Sequence, residues 1–176
     1  MKRLVPAVLM LALLSVPVAA ASSTDDHAPE IQAGLALRQT YGVQIPHGTA
    51  AVYLASEAVH HTRTVYSAIA WRDETGVWRV SSMGEQGPGG LLRVEKSLIP
   101  ETTRILPGDV GQRLDRLLGD PALYSERPQA SPPTGVGGPA HTLEIESGPD
   151  HSRAQWMGRL HGRTGEVADI VLDSLQ

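Results

Sequence analysis

The chain contains no cysteine. That excludes disulfides, thiolate metal sites, thiol nucleophiles and cysteine redox pairs, so any exported form depends on its packed core rather than on cross-links. Phenylalanine is absent as well, and beyond residue 21 the one lysine is Lys96. Positive charge is in short supply, with 15 basic against 19 acidic residues. An acidic balance of this kind argues against nucleic acid and anionic membrane surfaces as partners. Long apolar runs are missing everywhere except at the N-terminus.

That N-terminal run is informative. Lys2 and Arg3 precede an almost wholly apolar stretch from Leu4 to Val18, and Val18-Ala19-Ala20-Ala21 supplies small residues at the spacing of a cleavage site. The pattern predicts a secretory signal peptide over residues 1–21, too short for a comfortable membrane span and cleaved after Ala20 or Ala21. No cysteine follows it to carry a lipid anchor. Without Lys2 and Arg3 the basic residues fall to 13 against 19 acidic, a net charge of −6. Residues 22–176 are long enough for one domain with a substantial core and no further membrane span. The expected location is the periplasm or the extracellular space. The Ala, Gly, Pro and Arg bias matches a GC-rich bacterial coding sequence.

Local patterns predict an α+β fold: an antiparallel sheet built from hairpins, with two or three helices packed mainly on one face. Ala28 to Gln39 reads as a short helix capped by Asp26, with a thin apolar face of Ile31 and Leu35. Gly48 to Ala55 reads as a strand. Residues 62–72 and 77–82 flank Asp73-Glu74-Thr75-Gly76, which predicts a four-residue hairpin loop. Pairing Arg72 with Val77 sets Trp71 opposite Trp78, with Val65, Ile69 and Val80 on the same buried face. A Gly-rich turn at 84–90 and a strand through Leu92, Val94 and Leu98 follow. Asp109 to Gln112 resembles a capping box for a helix whose apolar face is Val110, Leu114, Leu117 and Leu118. A Pro/Gly-rich loop spans 127–140. A second hairpin turns at Gly148-Pro149-Asp150 and places Leu143, Ile145, Ala154, Trp156 and Leu160 on one face. There Ser147 is set beside Ser152, and Glu144 and Glu146 lie on a solvated face. Gly165 to Leu175 reads as a final helix.

Few residues point to chemistry. Seven histidines, at positions 27, 47, 60, 61, 141, 151 and 161, form no H-x-H or H-E-x-x-H arrangement, and the neighbours His60 and His61 point to opposite faces of a strand. Three or four converging ligands are needed for zinc, so no metal site is expected. "GEQGPGGLL" lacks the phosphate-loop spacing and has no helix behind it. Neither G-x-S-x-G nor S-x-x-K occurs, so catalytic residues are not identifiable, and no cofactor is implied. With Trp71 and Trp78 assigned to the core, the ligand-binding candidates are Arg72, Arg79, Glu85 and Gln86. The functional expectation is an exported, non-catalytic binding or accessory module that meets a protein or envelope component, its oligomeric state open. A small exported hydrolase and a metal-binding exported protein are the alternatives.

Overall fold

The computed structural model describes residues 27–59, 62–89, 95–133 and 138–176. The expected signal peptide, the Asp26 cap, His60, His61, Leu92 and Val94 lie outside the described residues. The fold is α+β. Twelve elements follow in order: α1 (Pro29–Thr40), β1 (Ala50–Val59), β2 (Thr62–Arg72), β3 (Trp78–Pro88), β4 (Ser97–Ile105), α2 (Gly108–Leu118), α3 (Pro121–Ser125), β5 (Gln129–Ser131), β6 (Ala140–Ser147), β7 (Asp150–Met157), β8 (Arg159–His161) and α4 (Gly162–Asp173). Six strands form an antiparallel sheet in the order β4-β3-β2-β1-β6-β7, and β5 pairs with β8 beside it. Among the described residues no helix is long and apolar enough to cross a membrane.

The two faces of the sheet are covered unequally. One face carries α2, α3 and α4. Their Leu114, Leu118, Leu123, Val167, Ile170 and Val171 pack on Val52, Leu54, Ala68, Ala70, Trp78, Val80, Leu143, Ile145 and Trp156. Among the described residues the other face carries α1 alone, which buries Ala28, Ile31 and Leu35 on Ala51, Tyr53, Ala55, Ile69 and Trp71. Helices thus lie mainly on one face, as the sequence predicts.

Several local expectations are corrected. Arg72 pairs with Trp78, and Trp71 with Arg79. The Asp73 N–H donates to the Val77 carbonyl, and Gly76 N–H returns to Asp73 O, with Gly76 at φ +81. The loop is therefore three residues long, a turn closed by one left-handed glycine. One residue of slip turns all of β3 over. Trp71 and Trp78 consequently lie on opposite faces, one under α1 and the other under α2. Asp73 fixes the turn by accepting from the backbone of Thr75 and Val77, so its carboxyl sits well below the usual range, chiefly through Thr75 and Arg79.

Residues 84–88 belong to β3 rather than to a turn, and 129–131 of the expected loop form β5. Sequence reasoning misses most of β4, because Pro100 interrupts it. The strand tolerates that proline as a sheet edge with a bulge, where Pro100 and Glu101 together face Met83. In the second hairpin the faces are as expected but the partners shift by two, so that Glu144 meets Arg153 and Ser147 meets Asp150. Helix α2 begins after Pro107, with Asp109 in its first turn and no side-chain cap.

Candidate functional site

Helix α1 crosses the sheet diagonally, and polar contacts hold it at both ends. At its start, Glu144 is fully buried on β6, contrary to the solvated reading of that strand face. Its carboxylate accepts from Ala28 N–H at 2.6 Å, meets His27 Nδ1 at 2.5 Å and pairs with Arg153 Nε at 2.6 Å. The His27 ring lies 4.7 Å from that of Tyr53. Burial first, and then the nearby Glu146 and Glu144, push the Tyr53 phenol up to about 12. The Glu144 charge can be buried because these partners satisfy it.

Arg38, near the other end, is also fully buried. Its guanidinium donates to Ser67 Oγ (3.1 Å) and Ser81 Oγ (2.9 Å), and to the carbonyls of both serines at 2.9 Å. The Ser81 hydroxyl in turn donates to Glu101 Oε1 at 2.7 Å. Burial lowers the Arg38 pKa to about 10, against a smaller opposing pull from Glu101, which leaves it charged at neutral pH. Gly34 permits this close docking, since a Cβ there would lie 2.9 Å from Ser67 Oγ.

One 12-residue helix cannot cover six strands, so the described residues leave part of this face open. A groove of about 370 Å³ lies there. Glu30 and Ala33 of α1 form one wall, and Ala55, Val65, Ala140 and Met157 supply apolar surface from β1, β2, β6 and β7. The strand pairings string Met157, Ala140, Glu57, Val65, Glu85 and Leu98 into one row across the whole sheet, on the α1 side. Met157 and Leu98, at its two ends, are 46% and 41% exposed. Charges punctuate the row: Glu57 pairs with Arg63 at 2.6 Å, and Glu85 with Lys96 at 2.8 Å. Lys96, with help from the Tyr41 hydroxyl, holds the Glu85 carboxyl below its usual range. Gln155 donates to Glu30 and closes one end.

The four ligand-binding candidates from the sequence do not converge. Arg72 and Gln86 share the face under α2, α3 and α4 but stand about 26 Å apart, since Arg72 pairs with Trp78, eight residues from Gln86 on β3. Arg79 and Glu85 lie on the α1 face, six residues apart. Arg72 is 3.5 Å from Asp115, and Arg79 is tied to Asp73 at 2.8 Å in the turn. Gln86 donates to Thr62. Of the four, Glu85 alone belongs to the row that runs through the groove.

One nucleophile–base contact escapes sequence reasoning, because its members are 85 residues apart. Ser56 Oγ lies 2.6 Å from His141 Nδ1 on the neighbouring strand, with the imidazole stacked on Trp156 at 5.0 Å. Burial holds His141 below its usual pKa, so the ring is neutral at physiological pH. A base in such a pair is normally oriented by a third polar group. Here the tryptophan face orients it, and among the described residues no carboxylate is hydrogen-bonded to His141. Nor, among the described residues, does any group of three His, Asp or Glu converge on a point that would suit a metal ion. The chain matches no protein-family model and no curated protein.

Proposed function

We propose that the chain is an exported, non-catalytic binding or accessory module of the bacterial periplasm or envelope, and that it engages its partner through the groove beside α1. The observation that carries this reading is the uneven cover of the sheet. Among the described residues three helices close one face, while the other leaves an apolar, charge-edged groove within the size range of ligand sites. The basic start, apolar run and small-residue site at the N-terminus support export. The Ser56–His141 contact is the observation on the side of the hydrolase alternative. Its orientation by Trp156 fits a packing role better than proton transfer.

The test uses the protein beginning at Ser22, immobilised and exposed to envelope extract of its own source. A specific partner is expected to be retained, and Ala140→Arg, which places a long charged side chain in the groove from an exposed position, is expected to lose it. Retention that is unchanged by Ala140→Arg contradicts the groove as the binding surface. A column that retains nothing contradicts the binding reading itself.

A further inference from the structure

Helix α1 has a second, largely apolar side that the described residues leave partly open. Ile31, Leu35 and Arg38 face the sheet. Glu30, Ala33, Leu37 and Tyr41 recur at i, i+3, i+7 and i+11 along the side of the helix on which Glu30 and Ala33 line the groove. Gln32 and Gln39 fall on the opposite side. Ala33 is exposed, Leu37 is half-buried and Tyr41 is 43% exposed. A helix apolar on two sides is built for two neighbours.

Stripe and sheet together make a trough. It starts at Glu30, Gln155 and Met157 and ends where the Tyr41 hydroxyl reaches Glu85 beside Leu98. Its length is that of α1, about 18 Å at 1.5 Å per residue. A rod lying 8–10 Å from α1 and resting on the sheet would fill it, and that spacing is the one two packed helices adopt. Small Ala33 allows the close approach.

Among the described residues no other helix lies along this trough, since α2, α3 and α4 pack on the opposite face. After the expected cleavage, only Ser22-Ser23-Thr24-Asp25-Asp26 precede His27, a segment too short and too polar. Residues 90–94 and 134–137 are shorter than two helical turns. Charge narrows the occupant further. Glu30, Glu57 and Glu85 outnumber Arg63 and Lys96 along the trough, and residues 22–176 carry a net charge of −6. A second acidic copy would be repelled, whereas a basic partner is attracted.

We infer that the trough beside α1 receives an amphipathic helix of a partner protein, about three turns long, with an apolar stripe and basic flanks. This rests on the binding reading above and names the class of partner. The groove then works in the helix-in-groove mode, with apolar anchors at i, i+3 or i+4 and i+7.

The probe is a labelled, designed Leu–Lys amphipathic helix of about 18 residues, long enough to be helical when bound. Its counterpart is a Leu–Glu helix of the same pattern. Anisotropy titrations against the protein beginning at Ser22 are expected to give saturable one-to-one binding of the Leu–Lys helix, with the Leu–Glu helix at least about tenfold weaker. Ala33→Trp and Ala140→Trp fill the trough from opposite walls without adding charge. Each is expected to weaken binding by at least about tenfold while leaving the circular dichroism spectrum and thermal midpoint in place. Equal binding of the two helices, or binding indifferent to both tryptophans, overturns the inference. So does sedimentation that shows a dimer split by Ala33→Trp, since a second copy is then the occupant. If no designed helix binds while Ala140→Arg still loses the retained envelope partner, the helix assignment fails and the binding reading stands. If Ala140→Arg has no effect either, the groove fails altogether.

Discussion

Replacing Glu144 by alanine is expected to lower the stability of the protein by about 3–5 kcal/mol, the range for breaking a buried charge pair from one side. Glu144 is fully buried and serves three partners at once: His27, the Ala28 N–H and Arg153. Removing it leaves the Ala28 N–H, in a residue only 1% exposed, without its acceptor and His27 without its carboxylate. The helix depends on this anchor, because the apolar core between α1 and the sheet is small. Glu144→Gln keeps the volume and one acceptor, so it should cost clearly less. Urea unfolding measures both variants. A Glu144→Ala midpoint within error of the wild type would show that α1 is held without this anchor, by its apolar contacts and Arg38. Destabilised Glu144→Ala should also lose partner binding, since the helix is one wall of the groove.

The second large effect lies on the other side of the sheet. Leu114→Ala is expected to cost about 3–5 kcal/mol, because Leu114 is fully buried between α2 and the main core and the cavity cannot drain to solvent. Leu117, also on the apolar stripe of α2, is only partly buried against that core, so Leu117→Ala should cost less than half as much. Equal losses for the two would mean that α2 is rotated on the sheet relative to the packing described here.

What the sequence made legible follows from how local each feature is. Helices α2 and α4 were readable because Leu114, Leu118, Val167, Ile170 and Val171 repeat at helical spacing, and packing then buries that stripe. The faces of β6 and β7 were readable from simple alternation. The first hairpin was not, because its register depends on a single backbone angle. With Gly76 left-handed, Asp73 faces Val77, and the tryptophans separate to opposite faces. Nothing in the alternation of 62–82 distinguishes a three-residue from a four-residue loop. Strand β4 was hidden by Pro100, whose presence is compatible with a strand only at a sheet edge. Glu144 looked solvated because its cover, residues 27 and 28, comes from more than a hundred positions away.

The groove was hidden for the same reason. Glu30, Ala33, Val65, Ala140 and Met157 come from one helix and three strands, and none of them belongs to a recognisable motif. The one local trace was the composition of α1. Its inner face looked thin, with Ile31 and Leu35 as the only large apolar residues, because Ala33, Leu37 and, just past its end, Tyr41 are set on a neighbouring side that the sheet covers only in part. A short helix with two modest apolar sides is therefore a sequence signal for an incomplete layer.

The central claim is that this protein binds through the open side of its sheet, beside α1. Photocrosslinking in living cells tests it most directly. A benzophenone amino acid is placed singly at Ala33, at Ala140 and, on the exposed surface of α2 over the opposite face, at Arg116. The account predicts a discrete heavier adduct from the first two positions and none from the third. Adducts from position 116 alone, or from all three equally, would place the working surface elsewhere and contradict it.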